Sequence, residues 1–395
     1  LAKMLLVSLG YKADLEGFTG NAWATNVNVR AAQKGLYEGL EAMDTNAAIT
    51  RDNAAQMVWN ALQAKEVEYD YTLVSENGQL TSKITLVDKN LTLLKDKYEA
   101  DKEDAGILLS CKKVDGKDYY TITTTKQTNN ANTTYNKISA DVSDLLGQKI
   151  QVLHKKTATD DTVYGVYADE DSKVVATGTL GGFELDGNDK VKLDGTSYKV
   201  EGTTATTTPQ TTNVVYVAQE ETATKTYTQL ANAAAKGSIT PTIAATSIKL
   251  IDNDSNGKID TAVVTPFTVA EVTYAGSSSY TFRPVGGKLS TIGNIDSDDV
   301  NAYKGIAKDD YAIVYADTDT VSGDWEVVQA DKVTGKVTAT KSSDTKGKID
   351  GKWYESLVAG QTFSLNDTVD AYIAGGYAFQ VEVSESGATS ADAVF

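Results

Sequence analysis

The sequence predicts a mainly β, multi-domain protein with an α-helical region at its N-terminal end. Two observations carry this. Apolar residues recur at spacings of three and four within the first 66 residues, and from about residue 68 short Val, Ile, Tyr and Thr runs alternate with Gly, Asp and Asn turns. A chain of 395 residues has room for about two to four domains with cores of their own. The expected divisions are a helical region over 1–66, a β-rich module with one short helix over 67–146, a β-module with an acidic turn over 147–265, and further β-modules over 266–395. Each β-module is expected to be a small sandwich or barrel.

Three helices are expected in the first region. "LAKMLLVSLG" ends at Gly10 and "AWATNVNVRAAQKGL" ends at Gly35, glycine being the residue that closes helices at low cost. The third is "AITRDNAAQMVWNAL", residues 48–62. Thr50 is its N-cap, Asp52 complements the positive end of the helix, and Ala54, Met57, Val58, Ala61 and Leu62 form the stripe to be buried. Arg51, next to the cap, is free to point from the helix start toward a ligand.

Beyond "KEVEYDY" the period shortens to two. "YTLVSENGQLTSKITLV" reads as a hairpin across Glu76, Asn77 and Gly78, and "KVKLDGTSYKV" as one across Asp194 and Gly195. Short helices are expected in "NLTLLKDKYEA" and "YTQLANAAAKG", and "EGTTATTTPQTTN" reads as an exposed loop open to glycosylation. Residues 147–200 and 307–356 share a "VYAD" strand end, a later Thr-containing strand and a "K-[IL]-D-G-x-x-Y" hairpin, so they are expected to form one repeated fold with Tyr198 and Tyr354 in its core. "LNDTVDAYIAGGYAFQVEV" looks like a third beginning, which implies a chain cut within a repeat.

Charge narrows the partners. Asp and Glu number 54 against 37 Lys and Arg, a net of −17, which repels nucleic acid and anionic membranes and favours cations. No run approaches the roughly 18 apolar residues that a spanning helix needs. The first residue is Leu1, which implies a preceding natural segment. Cys111 is the one cysteine and reads as a strand residue, so an intramolecular disulfide is excluded. His154 is the one histidine, which excludes His-cluster metal sites and leaves a Ser–His–Asp triad with a single candidate base.

The first 65 residues resemble the surface-layer homology family, by which bacterial surface proteins hold the cell wall. The resemblance rests on "LGYKADLEGFTGNAWATNVNVRAAQKGLYEGLEAMDTNAAITRDNAAQMVWNAL": Trp23 opening a helix, the pair Ala31 and Ala32, the helix end Gly35 and Leu36, and the Ile-Thr-Arg start of the last helix. It implies a family-type helical bundle, with one complete copy and, in "LAKMLLVSLGY", the remnant of a preceding one. It further implies that Arg51 contacts an acidic secondary cell-wall polysaccharide, that Thr50 fixes the helix start beside it, and that Trp23 walls the groove. Asn53 stands where the family carries Glu. The β-rich remainder is similar to the lattice-forming portions of surface-layer proteins of Gram-positive bacteria.

One motif suggests a metal. "DNDSNGKID" places Asp252, Asp254 and Asn256 at alternate positions, Gly257 at the sharp turn, the Lys258 carbonyl next and Asp260 at the ninth place, the spacing of an EF-hand-type calcium loop. The twelfth position is Val263, so the bidentate Glu is replaced, and strand-like flanks make the motif a hairpin rather than a helix pair. The bland alternative is an Asn-Gly turn with solvating carboxylates. A poorer cluster, Asp186, Asp189 and Asp194, lies in "ELDGNDKVKLDG".

These features lead to an extracellular, wall-anchored structural protein without enzymatic activity, bound to cell-wall polysaccharide, assembling with other copies and using calcium. The alternative is a surface enzyme or adhesin on the same anchor. An enzyme should hold a concave pocket with converging, perturbed polar groups, and a lattice protein should make extended contacts between copies.

Overall fold

The structure, a computed structural model, describes residues 1–45, 47–76, 79–114, 117–126, 131–155, 162–187, 189–201, 214–217, 224–225, 231, 244–315, 325–356 and 358–387. Strand dominates, as the period-two patterning requires. The chain forms two compact units, residues 1–103 with 153–164, and residues 104–152 with 165–395.

Helices α1 (Ala2–Ser8), α2 (Trp23–Gln33) and α3 (Arg51–Gln63) open the first unit. Thr50 caps α3 by accepting from the Asn53 amide at 3.2 Å. Met57 and Ala61, one turn apart, are the buried residues of that helix, whereas Val58 is exposed. The stripe is thus narrower than its sequence pattern, because a single line of contact suffices for a helix that packs on one side. Leu6, Leu9, Phe18, Val27, Ala31, Leu36 and Ala61 share a core with Val67 and Leu93. Gly10, at φ 102°, lets the chain turn within 2.3 Å, measured from an added Cβ, of the Val67 carbonyl. Any side chain there would collide with backbone.

Strands β1 (Lys65–Glu76) and β2 (Gln79–Thr92) form a two-stranded antiparallel ribbon. Its pairing of Glu76 with Gln79 leaves Asn77 and Gly78 as the loop, and those two lie outside the described residues. The expected short helix follows as α4 (Leu93–Tyr98), capped by Thr92 and ended by Glu99 in the left-handed region.

Strands β3 (Ala100–Lys113), β4 (Tyr120–Lys126), β5 (Ala131–Ile138), β6 (Lys149–Lys155) and β7 (Val163–Ala168) make a sheet in the order β5-β4-β3-β6-β7. Strand β8 (Lys173–Thr179) follows, then a small sheet of β9 (Phe183–Leu185), β10 (Lys190–Leu193) and β11 (Thr196–Lys199). With β12 (Val214–Val217), β13 (Thr224–Lys225), β14 (Ser247–Asp252) and β15 (Thr261–Thr265), β8 completes a sheet in the order β13-β12-β15-β14-β8. These last two sheets share one core, Phe183, Val191 and Leu193 meeting Ile248, Leu250, Ala262 and Val264.

Strands β16 (Thr268–Ala275), β17 (Ser279–Gly287), β18 (Asn294–Asp296), β19 (Val300–Ala302), β20 (Tyr311–Tyr315) and β21 (Trp325–Gln329) are ordered β18-β17-β16-β20-β21-β19. The last sheet is β24-β23-β22-β25-β26, from β22 (Asp331–Lys341), β23 (Lys346–Ile349), β24 (Lys352–Glu355), β25 (Thr368–Ala374) and β26 (Tyr377–Glu385).

The expected repeat survives only as its hairpin. The β10–β11 turn, Asp194 and Gly195 at φ 49° and 84°, is matched by Asp350 and Gly351 at 48° and 81° between β23 and β24. Tyr354 is buried and Tyr198 half-buried against the core. The surrounding pairings differ: β10 joins β9 but β23 joins β22, and the "VYAD" strand is an edge strand as β7 and an interior one as β20. An Asp-Gly turn fixes a hairpin locally and leaves the partner of its outer edge open. The expected helix at 227–237 and the loop at 201–213 fall almost wholly outside the described residues.

Candidate functional site

The acidic loop joins β14 to β15, two neighbouring interior strands of their sheet, so both its ends are held by pairing on either side. Between them Ser255 and Gly257 take φ 56° and 80°, reversing the chain sharply enough to turn side chains inward. One carboxylate oxygen from each of Asp252, Asp254 and Asp260 lies within 4.8 Å of the others. Asp252 is buried, Asp260 half-buried and Asp254 exposed.

Backbone amides shape this cup. The Gly257 amide donates to Asp252 at 2.9 Å, the Asn253 amide to Asp260 at 2.6 Å, and the Asn256 amide to Asp254 at 3.2 Å. Asn256 turns its NH2 to Asp254 and to Glu201 while its carbonyl accepts from the Lys258 amide. Burial, together with the charges of Asp254, Asp252 and Glu201, pushes the Asp260 carboxyl up to about 6, against the lowering effect of its bond from the Asn253 amide. Three oxygen-bearing carboxylates held this closely are a donor set for a hard cation. Val263, at the twelfth position, lies in β15 and is buried, so it closes nothing.

Two residues that sequence reasoning missed complete the picture. Asn253 is buried and ties the loop to its surroundings: its NH2 donates to the Gly147 carbonyl and to Thr261, and its carbonyl accepts from the Lys149 amide and the Ser172 hydroxyl. Glu201 arrives because the chain after β11 pairs with the end of the loop, the Ile259 amide donating to the Lys199 carbonyl and the Glu201 amide to the Ile259 carbonyl. Glu201 then meets Lys258 at 3.0 Å. An Asn between two Asp residues carries no signal of burial, and Glu201 lies 51 positions before Asp252, so neither was legible from spacing. Asp186, in the lesser cluster, accepts from Ser197, and Asp186, Asp189 and Asp194 do not converge as a metal group among the described residues.

In the first unit Trp23 lies 47% exposed and lines a groove of about 240 Å³ with Tyr37, Ile49 and Met57. Lys3 stands 5.8 Å from its ring. Arg51 is exposed, outside that lining, and makes no ion pair among the described residues. Thr50 does what its position predicts, and the groove wall and the guanidinium are separate features.

His154 is buried with Nε2 2.8 Å from Glu103, a pairing that accounts for it structurally. Cys111 lies in β3, its thiol 3.5 Å from Asp141. Cys111 and Asp141 line a cavity of about 460 Å³ together with Lys249, Tyr315, Trp325 and Glu326. Burial pushes Lys249 down and Glu326 up, the latter raised further by Asp141 and restrained by a 2.6 Å bond from Asn301. No helix among the described residues is long and apolar enough to cross a membrane. No family model, no curated protein and no solved structure matches this chain.

Proposed function

We propose that this chain is a structural protein of a bacterial surface layer, extracellular and non-enzymatic. It is held to the wall of a Gram-positive-type cell through its helical region and assembles through its β-rich region with calcium in the β14–β15 loop. The observation that carries the anchor is Arg51, an exposed guanidinium at the start of a 13-residue helix capped by Thr50, with no acidic partner among the described residues. A helix N-terminus with a free cation is an anion site, which an acidic wall polysaccharide suits. Trp23 supplies an apolar wall in a groove of its own for a sugar face, and the triad of Asp252, Asp254 and Asp260 suits a hard cation. Cosedimentation with purified cell-wall sacculi tests the anchor: native protein is retained, and failure to pellet at any protein concentration removes it.

A second reading, a wall-anchored enzyme or adhesin, is favoured by the cavity at Glu326, where a carboxyl held up and an amine held down by burial line one open cavity. Screening hydrolysis of and binding to wall glycans with Glu326→Gln beside the native chain separates the two. A native activity lost in that variant favours the enzyme.

A further inference from the structure

We propose that the outer half of the β1–β2 ribbon is a docking face for a second copy of this chain. The ladder pairs Tyr69 with Leu86, Tyr71 with Ile84, Leu73 with Ser82 and Ser75 with Leu80, and directly opposed residues share a face. One face therefore carries an unbroken series of apolar and small residues. At the base, the same face is used by the molecule itself: Val67 is buried and Leu86 packs on the helical core. Lys12 lies over the rings of Tyr69 and Tyr71 and donates to the Tyr71 hydroxyl at 2.9 Å, closing the covered part. Past that point the alternation continues with nothing among the described residues to cover it. Tyr71, Leu73, Leu80 and Ile84 are 56, 74, 73 and 43% exposed.

The chemistry of this face selects the occupant. Its outer half, Tyr71, Leu73, Ser75, Leu80, Ser82 and Ile84, has no charged residue, while Asp70, Thr72, Lys83 and Thr85 take the opposite face. In a chain of net charge −17 it is a place where two copies can meet without like-charge repulsion. Beyond Lys12 at its inner edge, it offers a charged partner nothing to pair with. The four large side chains leave on the order of 500 Å² uncovered, so two copies face to face cover on the order of 1,000 Å², the lower bound for a stable pair. A two-stranded ribbon alone is marginal in water, and a self-complementary contact about a twofold axis stabilises both ribbons at once.

This inference deepens the self-assembly part of the reading above and rests on it only there. Sedimentation of the full chain in EDTA and in calcium, at concentrations on the order of 100 μM, tests it with two charge-matched variants. Leu73→Lys with Leu80→Lys changes the apolar face, and Thr72→Lys with Thr81→Lys changes the other. The native chain and the second variant are expected to dimerise in EDTA, and the first to bind at least about a hundredfold more weakly. Coincident melting curves show that the fold is retained. If the lysines lower the melting temperature, Leu73→Thr with Leu80→Thr replaces them under the same criterion. Equal association of both variants and the native chain overturns the docking face while leaving self-assembly through other surfaces intact. Equal weakening in both variants also overturns it, as a charge effect. A native chain that stays monomeric with and without calcium overturns the face and the self-assembly reading together.

Discussion

Replacing Asp260 by Asn separates a calcium loop from a decorated turn. In the cluster this carboxyl is held from its ordinary 3.8 up to about 6, first by burial and then by Asp254, Asp252 and Glu201. A perturbation of that size corresponds to roughly 3 kcal/mol against the charged form, and with the carboxyl half-facing water, screening reduces it to about 1 kcal/mol. Since the folded state holds its proton more tightly than the unfolded one, the stability penalty is absent below about pH 4 and complete above about pH 6. Asn keeps an acceptor for the Asn253 amide and removes the charge. In EDTA at pH 7.5 Asp260→Asn should therefore raise the transition of the second unit by about 2–4 °C. Calcium reverses the order. A site lacking the bidentate Glu should have a dissociation constant of about 0.1–1 mM, so 5 mM calcium stabilises the native chain by about 1–2.3 kcal/mol and the variant by little. Scanning calorimetry with calcium titration reads both effects. An equal gain in the variant places the calcium elsewhere, no gain in the native chain leaves the loop a turn, and a variant less stable in EDTA refutes the electrostatic reasoning.

Other outcomes follow from the same structure. Arg51→Ala should weaken retention on cell-wall sacculi about fivefold, a loss of roughly 1 kcal/mol, partial because Asn53 stands in place of an acid; equal retention of the two proteins removes Arg51 from the site. Asn253→Ala deprives the Lys149 amide, Gly147 carbonyl, Ser172 and Thr261 of their buried partner, which should cost about 2–4 kcal/mol in chemical denaturation; a loss under about 0.5 kcal/mol would show that the network is dispensable. Glu326, raised by burial and Asp141, destabilises the fold increasingly as pH climbs from its ordinary range through its raised value. Glu326→Gln should thus melt a few degrees higher than native at pH 8 and no higher at pH 4, and a pH-independent difference would refute the assignment.

Local structure was legible where one or two residues decide it. Thr50 announces a cap, Asp194 with Gly195 announces a two-residue turn, and Asp252, Asp254 and Asp260 announce a cup of carboxylates, each because the geometry is set within a few bonds. What depends on distant partners was not. Val58 fits the helical stripe and faces water, the hairpin at 190–199 recurs at 346–355 without its neighbours, and Asn253 and Glu201 become part of the acidic loop only through strands far along the chain. Trp23 and Arg51 illustrate the same limit. The pattern places both at helix starts, while the 240 Å³ groove takes up the first and leaves out the second.

The central claim, a self-assembling structural surface protein, is tested most directly by negative-stain electron microscopy of the purified chain dialysed from EDTA into several millimolar calcium. Extended ordered sheets or strips are expected to form with calcium and disperse on chelation. Particles that remain single in both conditions, at concentrations on the order of 100 μM, would contradict that claim.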